Sequence, residues 1–167
     1  KGKKGMADLA GADDIMQDIF VAKNHDELLF FTSRGRVYSL SVYNIPEGSR
    51  TAKGRAVVNL LPLTEGETVV KLLCLRGAQD KNLVLVTKKG TIKKTKMYAF
   101  RKIRSTGIRA LSLDEGDELA FCGLSSGSDA IVLASSNGQG IHFKEKEVRA
   151  MGRQAAGVRG IKLRGDD

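Results

Sequence analysis

The sequence predicts an all-β fold built from repeats of roughly 50 residues, each the size of one propeller blade. Glycine recurs at positions 2, 54, 107 and 157, and a second series at positions 35, 90 and 138 keeps step with the first. A short apolar run precedes each glycine of the second series, whereas no amphipathic helical pattern persists along the chain. We therefore predict a partial ring of four-stranded, propeller-like blades.

Each repeat is predicted to open with a β-hairpin. Residues 28–31, 83–86 and 131–134 are unbroken apolar runs, which are typical of strands buried on both faces. The turns SRG, KKG and SNG that follow end in glycine, which accepts the positive φ that a tight turn requires. The second glycine series thus predicts the three hairpin turns.

The remainder of each repeat is a basic loop, a second apolar segment and an acidic turn. This order divides the chain into the tail of a preceding blade (1–17) and three blades (18–69, 70–119 and 120–167). A single blade cannot bury both faces of its sheet, so neighbouring blades are expected to stack. Three blades make an incomplete ring, and we expect the chain to be a piece of a larger propeller.

Positive charge is concentrated in the middle repeat. The net charge of +9 and the isoelectric point near 9.7 favour an anionic partner, either nucleic acid or a membrane surface. Residues 81–113 contain ten Lys and Arg and no Asp or Glu, whereas an ordinary solvated surface mixes its charges. Cations also recur in the loop before the first-series glycine of each repeat. Stacked blades would align these loops as a curved positive track.

The aromatic residues help to choose the partner. Single-stranded nucleic acids are bound by exposed rings on which bases stack. Here the six phenylalanines lie mainly in apolar runs and are interpreted as core, and Tyr43 and Tyr98 occupy equivalent positions that we interpret as packing. These interpretations favour duplex DNA held through its phosphates, without readout of the bases.

No pattern in the sequence predicts an enzyme. His25 and His142 stand far apart without paired acids or cysteines, and no phosphate-binding loop or nucleophile elbow is found. Cys74 and Cys122 lack CxxC spacing, so we interpret them as buried thiols in a reducing compartment. We predict no catalytic residue, no metal site and no cofactor in this chain, and no apolar stretch is long enough for a membrane-spanning helix.

The long motifs of the repeats resemble a known family. The segments LLFFTSRGRVYSLSVYNIPEGSRTAKGRAVVNLLPL, TKKGTIKKTKMYAFRKIRSTGIRALSLDEGDEL and FKEKEVRAMGRQAAGVRGIKL are similar to successive repeats of the C-terminal domain of DNA gyrase A. The C-terminal domain of the C subunit of topoisomerase IV is the nearest related family. The resemblance implies a six-bladed β-pinwheel, a propeller-like disc whose blades exchange strands, with three to four blades represented here.

The resemblance also implies a function. In the gyrase family this domain wraps duplex DNA around its positive rim and presents it to the cleavage core, which lets the ATP-driven holoenzyme introduce negative supercoils. The implied partners are DNA, the rest of gyrase A and the gyrase B protein, in the bacterial cytoplasm at the nucleoid. ATP and Mg would belong to the holoenzyme, and the breakage-reunion domain with its catalytic tyrosine has no matching stretch here.

The family's diagnostic basic box ends in lysine-glycine-lysine, which Lys1, Gly2 and Lys3 match, and RTAKGR at residues 50–55 resembles a weaker copy of it. The recurring loops, the acid-free stretch of residues 81–113 and this box give the predicted DNA-binding residues, with much of the affinity expected from the middle repeat if its cations face outwards. They are Lys1, Lys3, Lys4, Arg50, Lys53, Arg55, Lys93, Lys94, Arg101, Lys102, Arg104, Arg109, Arg149, Arg153 and Arg159.

A second class of function stays open from the residues alone. A basic propeller can serve as a protein-interaction scaffold, because a fold does not dictate its function. The absence of tryptophan excludes a WD dipeptide, and there is no double-glycine kelch signature. Steep release by salt from a phosphate-like matrix would favour DNA binding over the scaffold.

Overall fold

The computed structural model describes residues 19, 21–56 and 59–163. Its regular structure in these ranges consists of β-strands and short 3₁₀ helices, so the all-β prediction is confirmed. The strands are β1 Glu27–Thr32, β2 Arg36–Ser41, β3 Val69–Cys74, β4 Asn82–Thr87, β5 Thr91–Lys96, β6 Ile108–Arg109, β7 Leu119–Ser125, β8 Ala130–Ala134, β9 Gly140–Lys144 and β10 Val158–Arg159. The 3₁₀ helices are Val42–Asn44, Met97–Phe100 and Glu145–Glu147.

The three predicted hairpins are present as β1–β2, β4–β5 and β8–β9, all antiparallel. Gly35, Gly90 and Gly138 adopt φ values of +68°, +83° and +81° in the turns. These values lie in the left-handed region, which glycine enters without steric cost. The second glycine series therefore marks the turns, as predicted.

Strand exchange joins the repeats into larger sheets. The first sheet has the order β3-β1-β2-β6 and the second has the order β10-β5-β4-β7, while β8 and β9 form a two-stranded sheet. The edge strand β6 comes from the repeat after the one that supplies β2, and it pairs Ile108 with Val37 and Arg109 with Arg36. In the same way β10 pairs with β5 of the preceding repeat. Each four-stranded sheet is thus completed by the next stretch of chain, and the sheets cross the predicted blade boundaries.

The main core lies between the first and second sheets. Leu29 and Phe31 of β1 belong to one buried cluster with Leu83 and Leu85 of β4. Phe100 reaches this cluster from its 3₁₀ helix and meets Phe31 edge-on, with the ring centroids 5.6 Å apart. Leu28 and Phe30 project from the opposite face of β1 into a second, smaller cluster. The prediction that the first apolar run is buried on both faces is therefore confirmed for β1.

Two interpretations of apolar and aromatic residues are wrong. The run in β8 alternates between exposed and half-buried residues, because within the described residues this strand pairs only with β9. Phe121, which we predicted to lie in the core, is 70% exposed, and Tyr43 and Tyr98 are 62% and 59% exposed rather than packed. Phe20 lies outside the described residues.

Substitution of Gly107 tests how the exchanged strand docks. Gly107 and Gly54 have nearly the same φ, +75° and +76°, but a Cβ added at Gly107 would lie 2.6 Å from the buried ring of Tyr38, whereas at Gly54 it would meet nothing within 4 Å. We expect Gly107→Ala to lower the free energy of unfolding by about 1–3 kcal/mol more than the matched control Gly54→Ala. Urea denaturation of both variants measures the difference, and equal losses would contradict the docking contact.

Candidate nucleic-acid interface

Three basic loops occupy equivalent places in the repeats. Each follows a hairpin and its 3₁₀ helix: the first basic loop spans residues 50–55, the second 101–109 and the third 149–159. Each contains a first-series glycine with positive φ, at Gly54, Gly107 and Gly157. The repeat pattern therefore places the cations of the three loops at the same point of each structural unit.

The second basic loop is fixed to the edge of the first sheet. Its end forms β6, which pairs with β2, and Arg36 Nη2 donates a 2.8 Å hydrogen bond to the carbonyl oxygen of Thr106. Within the loop, the Gly107 amide donates to the carbonyl of Arg104 at 2.8 Å. The docked backbone leaves the loop's four predicted cations exposed: Arg101, Lys102, Arg104 and Arg109.

The third basic loop follows the edge of the second sheet. Ala150 bridges to Lys94 of β5, the Met151 amide donates to the Lys94 carbonyl at 2.8 Å, and β10 pairs with β5 further along. Arg149 and Arg159 are exposed, and Arg153 is half-buried. The second and third loops therefore sit on corresponding edges of successive sheets.

The first basic loop is the most open of the three. Arg50, Lys53 and Arg55 are all exposed. A 2.9 Å hydrogen bond from the Ala52 amide to the Ser49 carbonyl gives the loop a local turn. Lys1, Lys3 and Lys4 of the predicted set lie outside the described residues.

Lys93 and Lys94 do not face outwards, and the expectation that they line the positive surface is corrected. They are 0% and 6% exposed. Lys93 Nζ donates to the carbonyls of Ala110 and Arg153, and Lys94 Nζ lies 3.4 Å from a carboxylate oxygen of Glu145. These acceptors come from segments in or next to the second and third basic loops, so the two lysines are satisfied in the interior.

Within the described ranges, no carboxylate forms an ion pair with an exposed cation of the three loops. Among the described residues, the ion pairs join Arg76 to Asp26, Lys88 to Glu118 and Lys94 to Glu145, and none of them involves an exposed cation of the three basic loops. An exposed cation that is not paired with a carboxylate attracts an external anion more strongly than a paired one, because no nearby negative charge offsets its field. The exposed cations of the three loops therefore carry charge that no ion pair of the described residues neutralises.

Two features of this surface were missed from the sequence. Arg36 pairs directly across from Arg109, which only the strand exchange brings about. The guanidinium of Arg101 stacks over the ring of Tyr98, with its central carbon 3.3 Å from the ring centroid. The spacing of three residues across a short 3₁₀ helix was the available signal for this stack, since side chains at i and i+3 eclipse in a 3₁₀ helix.

The described residues contain no group of three or more His, Cys, Asp or Glu that could hold a metal ion. Burial raises the pKa of the half-buried Cys122 thiol to about 12, so this thiol stays protonated and unreactive at neutral pH. Among the helices in the described part of the chain, none has the length and apolarity to cross a membrane.

The comparisons with known proteins agree with one another. The family described as DNA gyrase C-terminal domain, beta-propeller, matches residues 26–76, 81–126 and 129–167. The A subunit of DNA gyrase from Salmonella typhimurium is 47% identical over 99% of this chain, and that from Escherichia coli K12 is 42% identical over 97%. The chain spans only 19% of the length of either relative.

Solved structures share the fold. The C-terminal domain of DNA topoisomerase IV superposes with a TM-score of 0.80 at 26% identity, covering 86% of this chain and 45% of the other. A DNA gyrase A C-terminal domain superposes with a TM-score of 0.69 at 21% identity, covering 87% of this chain and 46% of that one. Since the family pattern covers most of the sequence in three consecutive stretches, the chain belongs to the DNA gyrase C-terminal domain family and corresponds to part of the β-pinwheel of gyrase A.

Proposed function

We propose that this chain binds duplex DNA through its phosphates, without sequence preference, and bends it along the three basic loops. The observation that supports this proposal most is the recurrence, at the same point of each repeat, of exposed cations that form no ion pair with another described residue. Phosphate contacts fix the register of a protein on DNA but carry no sequence information. The cations that we assign to this surface are Arg50, Lys53, Arg55, Arg101, Lys102, Arg104, Arg109, Arg149, Arg153 and Arg159.

Bending follows from the way the loops are spaced. Successive blades of a propeller-like fold are rotated about a common axis, so loops at the same edge of each blade lie on a curve. Bending ~20–30 base pairs through 40–90° costs on the order of 1–6 kcal/mol, which added phosphate contacts can offset. A curved row of cations therefore favours bent DNA over a straight duplex.

In the complete protein, this role would serve a type IIA topoisomerase. We infer that the chain acts with the rest of gyrase A and with the gyrase B protein in the bacterial cytoplasm. There it would present wrapped DNA to the cleavage machinery, so that ATP-driven strand passage introduces negative supercoils. This inference is supported by the matches to curated gyrase A proteins.

A protein-interaction scaffold is the second candidate. It is favoured by an open cleft of about 390 Å³ between the second sheet and β8, which is lined largely by apolar side chains and includes the exposed Phe121 and Val132. Exposed apolar surface of this kind often marks a protein contact. A scaffold of this type would not require the basic loops.

Binding to short duplexes separates the two candidates. We expect two unrelated duplexes of about 20 base pairs to bind equally well, with a log–log salt slope of roughly −5 to −9 for six to ten phosphate contacts. Fluorescence anisotropy over a salt series measures both quantities. An absence of binding at low salt would favour the scaffold, and a strong preference for one sequence would contradict binding through phosphates.

A further inference from the structure

Lys93 is a buried cation at the junction of two basic loops. Its Nζ donates a 2.7 Å hydrogen bond to the carbonyl of Ala110, just after the second loop, and a 2.6 Å hydrogen bond to the carbonyl of Arg153 in the third loop. Burial, and then the charge of Arg153, lower the pKa of Lys93 to about 8. Both donated bonds need only two hydrogens, so they persist in the neutral amine as well as in the cation.

Ser112 joins the same two loops beside Lys93. Its amide donates to the carbonyl of Ala155 at 3.2 Å, and its hydroxyl donates to the carbonyl of Gln154 at 2.6 Å. The same hydroxyl accepts a 3.4 Å hydrogen bond from Arg109 Nη1, which belongs to the proposed DNA surface. The junction therefore links a DNA-facing guanidinium of the second loop to the backbone of the third.

In the first sheet, the position that corresponds to Lys93 holds a tyrosine instead of a lysine. Counting three residues from the turn glycines, Tyr38 of β2 matches Lys93 of β5. The ring of Tyr38 packs against Gly107, and its hydroxyl accepts a hydrogen bond from Arg36 and donates one to Glu67. Lys93 instead donates to backbone carbonyls on both sides of the junction. Removing an amine from water costs free energy that an apolar side chain of similar size would not cost. If packing were the only requirement at position 93, an apolar side chain would therefore be sufficient there.

We propose that Lys93 is a positioning residue for DNA binding, which fixes the second and third basic loops relative to each other. The inference rests on the proposed function, because the loops need a fixed spacing only if one ligand spans both. Lys93 does not touch DNA in this account. Its loss should leave the number of phosphate contacts on a short duplex unchanged and weaken the preference for DNA that follows both loops.

Hydrogen exchange of the free protein tests the junction without DNA. In Lys93→Met we expect the Ser112 amide to exchange about tenfold faster, because its partner loop is no longer held, while amides of β1 keep their protection. Lys81→Met is the matched control, since it removes an exposed lysine outside the loops. Unchanged exchange at Ser112 would overturn the inference.

DNA binding tests the consequence of the junction. In Lys93→Met we expect the ratio of affinities for duplexes of about 150 and 20 base pairs to fall about threefold or more, with the salt slope on the short duplex unchanged. In Lys81→Met the ratio should stay at the wild-type value. Altered exchange with an unchanged ratio would leave Lys93 a structural residue only.

Failure of the inference and failure of the proposed function are distinguishable. If the wild-type chain binds neither duplex, the proposed function fails and the positioning role falls with it. If the wild type binds and the ratio does not move, only the positioning role is contradicted. Should Lys93→Met not fold, Ser112→Ala removes the hydroxyl link at the half-buried edge of the junction. It is judged by the protection factor of the residue 112 amide, which corrects for the altered intrinsic exchange rate, and by the same affinity ratio, with a smaller shift expected.

Discussion

Replacing Glu145 by alanine is expected to lower the free energy of unfolding by about 3–5 kcal/mol, the cost of breaking a buried ion pair from one side. Glu145 is 0% exposed, and its carboxylate lies 3.4 Å from Lys94 Nζ. The substitution would leave the ammonium of Lys94 buried without a counter-charge. Lys94 Nζ would keep its bond to the main-chain carbonyl of residue 145.

The carboxylate of Glu145 also organises the neutral groups around it. Asn82 Nδ2 and Ser125 Oγ donate to one oxygen at 2.9 and 2.8 Å, and the amides of Gly127 and Asp129 donate to the other at 2.7 and 3.3 Å. Burial raises the pKa of Glu145, but these hydrogen bonds outweigh burial and lower it below its ordinary value. Truncation would leave several of these donors unsatisfied.

Chemical denaturation of Glu145→Ala and of Glu147→Ala measures the effect. Glu147 is exposed in the same 3₁₀ helix and accepts one hydrogen bond from the Lys144 amide, so its loss should cost only about 0.5–1 kcal/mol. Because the pKa of Glu145 is lowered on folding, its stabilising contribution is complete above its unfolded pKa and is lost as the pH falls through its folded pKa. Equal losses in the two variants at neutral pH would contradict the buried network.

Combined replacement of Arg101, Arg104 and Arg109 by alanine is expected to flatten the log–log salt slope of DNA binding by about 2–3 units. All three side chains are exposed in the second basic loop and form no ion pair among the described residues. Three lost phosphate contacts of this kind correspond to a loss of roughly 10²-fold in affinity at about 0.1 M salt. The free energy of unfolding should fall by only about 1–2 kcal/mol in total, because Arg101 loses its stack on Tyr98 and Arg109 loses its hydrogen bond to Ser112, both at exposed positions.

A matched triple variant separates the loop from net charge. Lys23, Lys81 and Lys96 are exposed lysines outside the basic loops that form no ion pair with another described residue, and their replacement by alanine changes the net charge by the same amount. This control should retain most of the salt slope, since general attraction by net charge does not fix phosphates at particular positions. If both triple variants lose the same slope and affinity, binding follows overall charge and the loops have no special role.

The sequence predicted the repeated elements because local chemistry determines them. Gly35, Gly90 and Gly138 are required where the backbone takes positive φ, and the apolar run before each turn forms the first strand of a hairpin. The basic loops were likewise found from their regular spacing. Features that depend on neighbouring residues in the chain could therefore be predicted.

Features that depend on residues far apart in the chain could not be predicted from the sequence. The acid-free stretch of residues 81–113 indicated Lys93 and Lys94 as surface cations, but their partners lie in the stretches around Ala110 and between Glu145 and Arg153. Strand exchange also decides which edges are covered and places Arg36 opposite Arg109. Sequence spacing contains no information about such partners until the topology is known.

Comparison of short and long duplexes tests the central claim that the basic loops bend DNA. Affinities would be measured over a salt series for duplexes of about 20 and about 150 base pairs, the longer matching the persistence length of DNA. We expect tighter and steeper salt-dependent binding to the long duplex, beyond the statistical gain from its additional sites. Equal affinity per site and equal slopes would contradict bending by these loops and leave a passive basic surface.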